Sequence, residues 1–263
     1  VLRVIILSLA SVVLVYEITC SSVHAETKNT HFMFTYVDRL ISNLEGRSWV
    51  VTDGVFDDMM LLRAAELGVD LNVVDLTSAG DPLYMKMLKE KLSSARLQNS
   101  VDIGAMTFLQ EWISSDPDVT KKLALCLFPD LWNIGDYRIY PRGLTFFGGS
   151  GDAQDSSSRV TEKDNIDDYF KLMKTLDLEL NKVSSKSAPI VLALADSVRR
   201  RVSFIGNNLG YFIETRGMKE EALGIYGRVH AFDPKNVSAM LNYASLLEKL
   251  GTREQQDHIK AEI

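Results

Sequence analysis

The sequence predicts two architectures in one chain: a three-layer α/β unit over residues 31–150 and an all-helical unit over residues 164–263. Three observations carry that expectation. Short apolar runs rich in valine alternate with helical stripes from Phe34 to Phe147. A polar, glycine- and serine-rich stretch, Gly148-Gly-Ser-Gly-Asp-Ala-Gln-Asp-Ser-Ser-Ser158, then interrupts all periodicity, and residues 151–163 read as a linker. From Asp164 onward only helical spacing remains, and part of it recurs at a fixed interval.

The α/β part builds up in order. Phe34, Val37, Leu40, Ile41 and Leu44 form one helical stripe that Gly46 stops. Trp49-Val50-Val51-Thr52 reads as a buried strand and Asp53-Gly54 as the turn that ends it. Asp57 and Asp58 open a helix carrying Met59, Leu61, Leu62, Ala65 and Leu67, which stops at Gly68. A second strand follows from Leu71 to Leu76, so strand, helix and strand fit a right-handed parallel crossover. Gly80-Asp81-Pro82 starts a further helix through Leu92. Another helix is expected from Ile103 to Ile113, a third strand from Lys122 to Phe128 and a fourth from Tyr140 to Phe147. Together these elements read as a small Rossmann-like domain.

Composition bounds the function. A chain of 263 residues with 46% hydrophobic and 24% charged residues can bury a core, and its length favours two domains. Its net charge of -6 and the absence of a long basic run give no footprint for nucleic acid. Arg199-Arg200-Arg201 is the one basic cluster, and it reads as a solvated helix face. The two cysteines, Cys20 and Cys126, fit neither a disulfide framework nor a zinc site, and Cys126 reads as a small buried hydrophobe. The four histidines show no ligand spacing, so no metal and no cofactor is expected.

Residues 1–25 admit two readings. The run from Val1 to Tyr16 is apolar apart from Arg3, Ser8 and Ser11, and Val23-His24-Ala25 supplies a cleavage site for a secretory signal. The same run is also what remains visible of a last transmembrane helix, if the spanning segment starts upstream of Val1. Both readings place the soluble part outside the cytoplasm, exported or anchored to a membrane.

The nearest thing to a catalytic group is acidic. Asp53, Asp57 and Asp58 fall at the carboxyl end of the first strand, where open α/β sheets bind ligands, with Asp75 at the end of the second strand as the one candidate fourth member. Carboxylates there suit a divalent cation and a phosphorylated or glycosyl substrate. The competing reading is helix capping, because Asp57 and Asp58 sit where a helix dipole favours negative charge.

In the helical part a long pattern runs from Pro189 to Thr215, either one helix or two joined near Arg200, with a new element favoured near Ser203. Leu209-Gly210, Ile213 and Gly217 recur as Tyr243-Ala244, Leu247 and Gly251, a period of 34 residues. Ala222, Tyr226 and Val229 share one face between the two passes, Asp233-Pro234 closes the unit and the next helix is expected near Asn236. This stretch, residues 203–251, resembles a tetratricopeptide repeat, with Gly206 where that family usually has tryptophan. The resemblance implies a stacked helical surface that binds a protein or peptide, with Asn207, Asn208 and Asn242 as candidates to line its groove. One full unit and part of another cannot stand alone, so the helices from Asp164 to Arg201 are expected to cover its inner face.

Tyr36 to Leu44, Trp49-Val-Val-Thr-Asp-Gly54, Leu71 to Asp75 and Pro141-Arg-Gly-Leu144 are similar in order to the soluble tail of bacterial polytopic membrane proteins of the protein O-mannosyltransferase type. That resemblance implies a non-catalytic, extracytoplasmic part of a larger membrane protein, with catalytic acids outside this chain. The expected function is therefore a membrane-tethered or exported interaction module. An α/β enzyme acting at Asp53, Asp57 and Asp58 is the alternative.

Overall fold

The computed structural model describes residues 30–149 and 162–250; the apolar leader, most of the expected linker and the last repeat position, Gly251, lie outside the described residues. Five strands, β1 (Trp49–Thr52), β2 (Asn72–Asp75), β3 (Leu123–Leu125), β4 (Arg138–Arg142) and β5 (Thr145–Gly149), form one mixed sheet in the order β2-β1-β3-β5-β4. Around β1 the sheet is parallel: Val50 pairs with Val73 of β2 and with Ala124 of β3. Val50, Val51, Val74 and all of β3 are buried, which explains apolar runs that do not alternate, since strands covered on both faces need no polar side. Helix α2 (Asp57–Glu66) links β1 to β2 as the expected crossover.

The stretch from Tyr140 to Phe147 is two strands instead of one. Gly143 and Leu144 turn the chain, and Tyr140 of β4 pairs antiparallel with Phe147 of β5. Pro141 has no N–H to give a ladder, and β4 is the outermost strand, where that loss is tolerated.

Helix α1 (30–42) buries Phe32, Tyr36, Val37, Leu40 and Ile41. Phe34, expected in that stripe, lies outside it, 36% exposed beneath the guanidinium of Arg63. Helix α3 (Pro82–Glu90) begins where the sequence places it, because the Asp81 carboxylate accepts the N–H groups of Leu83 at 2.8 Å and Tyr84 at 3.4 Å. Helix α4 (Ala95–Ile103) was not expected, since only Ser100 and Val101 of its residues are buried. Helix α5 (Ala105–Ser115) buries Phe108, Leu109, Trp112 and Ile113, and the short α6 (Val119–Lys122) leads into β3.

Four helices follow: α7 (Glu162–Leu180), α8 (Pro189–Thr215), α9 (Lys219–Phe232) and α10 (Val237–Leu250). Helix α8 is a single element of 27 residues, with no break near Arg200 or Ser203. Val198, Val202, Ile205, Leu209 and Ile213 continue one buried stripe through that point, so nothing in the packing favours an interruption. Helices α8 and α9 are antiparallel: Glu214 meets Tyr226 through the tyrosine hydroxyl, and Arg199 reaches the carbonyl of Phe232 at the other end. The backbones come close at two glycines. A Cβ at Gly206 would lie 2.1 Å from the Tyr169 hydroxyl and 2.5 Å from Val229 Cγ2, and one at Gly210 would lie 2.5 Å from the Tyr226 ring. Tyr169 of α7 fills the space that Gly206 leaves and donates its hydroxyl to the Val202 carbonyl at 2.8 Å.

A buried polar lock fixes the start of α10. Ser203 donates to Asp233 at 2.6 Å, Asn236 donates to Ser203 at 3.2 Å, and the Asn236 carbonyl accepts the Ala239 N–H at 3.0 Å. The helices also dock on the sheet. Phe146 of β5 meets Phe204 edge to face at 5.7 Å, Tyr140 meets Phe212 at 5.0 Å, and one hydrophobic cluster runs through both regions.

The glycine contacts give a paired expectation. Gly206→Ala gains about 1 kcal/mol of helix propensity, yet overpacks Tyr169 and Val229, so a net loss of roughly 2 kcal/mol is expected in urea denaturation. Gly224→Ala in α9, where a Cβ meets nothing within 4 Å, is expected to gain about 0.5–1 kcal/mol. Stabilisation by both variants would contradict the packing described.

Candidate functional site

The parallel strands bring their carboxyl ends together and place Asp53, Asp57, Asp75 and Cys126 around one crevice. Gly54 makes the tight turn after β1 with φ of 81°, and a Cβ there would lie 2.9 Å from an Asp75 oxygen and 2.8 Å from the Thr77 hydroxyl. A left-handed residue in that space has to be glycine. Each acid has a different neighbourhood. Asp75 is buried, and its oxygens accept the Thr77 N–H at 2.8 Å, the Thr77 hydroxyl at 2.7 Å and the Ser78 hydroxyl. Burial alone would raise its carboxyl, but the hydrogen bonds from Ser78 and Thr77 outweigh burial and hold it below the usual carboxylate range.

Asp57 behaves in the opposite way. One oxygen accepts the Thr52 hydroxyl at 2.7 Å, and the other is buried with no hydrogen-bond partner. Burial pushes its carboxyl up to about 6, with Asp75, Asp53 and Asp58 adding repulsion against the bond from Thr52. Asp58 is exposed on the first turn of α2 and does not face the crevice as its neighbour does. The acids are thus only partly gathered: Asp53, Asp57 and Asp75 are neighbours, and Asp58 is a first-turn acid on the helix.

Arg201 is the residue that the sequence reading missed. It belongs to the basic cluster that reads as a solvated face, but its side chain is 12% exposed and forms an ion pair with Asp53. Its guanidinium lies 5.5 Å from the Phe56 ring centroid, and its Nε donates to the Ser197 hydroxyl at 3.2 Å. Burial disfavours the guanidinium charge, and the facing Tyr36 and Asp53 more than offset that effect. The signal was present in the spacing, since Arg201 lies three residues after Val198 and four before Ile205, both buried on the core stripe of α8. Its two neighbours differ: Arg200 is exposed, while Arg199 lies 4.9 Å from the Phe232 ring centroid. Cys126, just after β3, is buried, and burial pushes its thiol up to about 12, which favours the protonated form.

The three asparagines lie on the helical stack. Asn242 of α10 donates to the Asn207 side-chain carbonyl of α8 at 2.9 Å, bridging the two helices. Asn208 turns back on its own helix and donates to the Phe204 carbonyl at 2.9 Å. The Asn207–Asn242 pair keeps an NH₂ group on Asn207 and a carbonyl on Asn242 without partners among the described residues. Exposed apolar side chains lie along the same helices, Phe204 and Tyr211 on α8 and Leu241 on α10.

Among the described residues no group of three or more His, Cys, Asp or Glu is arranged to hold a metal ion, and no helix is long and apolar enough to cross a membrane. Comparison with protein-family models, with curated proteins and with solved structures gives no match to this chain.

The Asp57 environment sets a pH expectation. Its native carboxyl keeps a proton between about pH 4 and 6 that the unfolded chain releases, so its contribution to stability is full below about 4 and is lost as pH rises through about 6. Asp57→Asn removes that loss. The variant is expected to gain stability relative to the parent as pH is raised from 4 to 7, read as the difference between their denaturation midpoints at each pH. A constant difference across that range would show that Asp57 is not perturbed.

Proposed function

We propose that this chain is a protein-interaction module, tethered to a membrane or exported, whose tetratricopeptide-like helical surface binds an extended peptide. In this reading a Rossmann-like α/β unit supports the helices, and the whole is a non-catalytic, extracytoplasmic part of a larger membrane protein. The observation that carries it is the Asn207–Asn242 bridge. Two amides 35 residues apart, on α8 and α10, are joined side chain to side chain, and what remains on them is one donor group and one acceptor. That is the complement of a peptide unit, whose N–H and C=O both need partners. The neighbouring Phe204, Tyr211 and Leu241 offer apolar contact for side chains of an extended ligand.

Burial of most of the repeat positions also supports it: Leu209, Gly210, Ile213, Ala222, Tyr226, Val229 and Leu247 are buried, Tyr243 and Ala244 are half-buried and Gly217 is exposed. A further support is the use of Asp53 at the strand ends, where Arg201 of the chain's own helix occupies its carboxylate. The alternative of an α/β enzyme acting on a phosphorylated or glycosyl substrate draws on Asp57, whose raised carboxyl suits a general acid or base. It predicts turnover that Asp57→Asn abolishes and Asp58→Ala leaves intact.

Selection of extended peptides from an unbiased display library on the folded chain tests the leading reading. Enriched peptides are expected to bind about tenfold more weakly once Asn207 and Asn242 are both replaced by alanine, with the melting temperature little changed. Failure to enrich any peptide, or an affinity that the double replacement leaves unchanged, would overturn it.

A further inference from the structure

A basic cleft opens on a different part of the molecule, between α1, the β4–β5 turn and the start of α7. It encloses about 230 Å³ and is lined by Arg39 and Asn43 from α1, Arg142 and Gly143 from the hairpin, and Asp168, Lys171 and Leu172 from α7. The cations come from all three elements, three of them against the lining Asp168 and the Glu45 carboxylate paired with Arg142, in a chain whose net charge is -6. Such a reversal of local sign is a feature of anion sites.

The donors differ in how they are held. Arg142 is 13% exposed and is fixed from behind: its Nε donates to Glu45 at 2.7 Å and its Nη1 to Asn165 at 3.3 Å. Its Nη2 has no partner among the described residues, so a pre-oriented edge of a planar fork is left for a ligand. Asn165 is itself buried and is anchored by donating to the Pro141 carbonyl at 2.9 Å, which makes this support rigid. The Asn43 amide sits against Gly143, where an added Cβ would lie 2.4 Å from its nitrogen. Arg39, one helical turn earlier on the same face, has no carboxylate partner among the described residues. Lys171 has a loose pairing with Asp168, at 3.6 Å.

We propose that this cleft binds a phosphoryl group. Two arginines, a lysine and an amide converging from three elements suit a tetrahedral, doubly charged oxyanion, which accepts several charge-assisted hydrogen bonds at once. A single flat carboxylate would engage fewer of them. The same chemistry is presented by free phosphate, by a small phosphate monoester and by a phospholipid headgroup. The site is separate from both the asparagine bridge and the strand-end acids, and it stands or falls independently of the peptide reading.

The test uses the whole chain at low ionic strength, with inorganic phosphate titrated calorimetrically against chloride at matched ionic strength. A parallel arm measures sedimentation with vesicles of phosphatidylcholine alone and of phosphatidylcholine containing phosphatidic acid. Arg39→Gln and Lys171→Gln are the variants, because both side chains are on the surface and neither supports the fold as Arg142 does. Saturable phosphate binding weakened about tenfold in the double variant supports the site with a soluble ligand. Binding only to the phosphatidic acid vesicles, lost in the double variant, supports it with a lipid headgroup and separates it from any attachment through residues 1–29. No binding in either arm, or binding that the double variant leaves unchanged, overturns the proposal.

Discussion

A guanidinium carried into an apolar crevice costs several kcal/mol unless a carboxylate meets it there. Arg201 and Asp53 are such a pair, and much of the arrangement depends on their meeting. Asp53 directly follows β1 and Arg201 lies midway along the longest described helix, so the ion pair ties the sheet to the helical stack at the carboxyl ends of the parallel strands. Phe56 under the guanidinium and Tyr36 beside it complete the enclosure. With its carboxylate engaged in this way, Asp53 supports the fold, and Asp57 is the acid of the group with a buried oxygen that lacks a hydrogen-bond partner among the described residues.

Once α8 is held on the sheet, the rest of the helical stack follows from close packing. Gly206 and Gly210 let α7 and α9 approach α8 nearer than side chains would allow. The lock of Ser203, Asp233 and Asn236 then sets where α10 begins, and it runs alongside α8 so that Asn242 reaches Asn207. The amide bridge is thus a consequence of packing several residues away. A surface positioned by buried contacts of this kind loses little entropy when a ligand binds.

Local chemistry made parts of the fold legible in the sequence. Asp81 before Pro82 marked a helix start because a carboxylate can satisfy N–H groups within its own turn, and the valine run at Trp49–Thr52 marked a strand covered on both sides. The failures came where a distant partner decides the outcome. Phe34 has helical spacing but is covered by Arg63, and α4 is held by few apolar residues of its own. Arg201 falls between Val198 and Ile205 on a buried stripe, a spacing that marks it as inward-facing, but nothing local shows that Asp53, far away in sequence, is the carboxylate that meets it. Of the acids expected at the strand ends, Asp53, Asp57 and Asp75 lie near one another and Asp58 is exposed on the first turn of α2. Their roles were not legible, because hydrogen bonds from Thr77 and Ser78 separate Asp75 from Asp57 in their hold on protons.

Arg201 and Asp53 thus form a coupled structural pair that joins the strand ends to α8. A double-mutant cycle of Asp53→Asn, Arg201→Met and the two together, followed by urea denaturation, tests it most directly. A coupling energy of at least about 1.5 kcal/mol is expected between the two positions. Single effects that add to within about 0.5 kcal/mol would show that the side chains act independently and would contradict it.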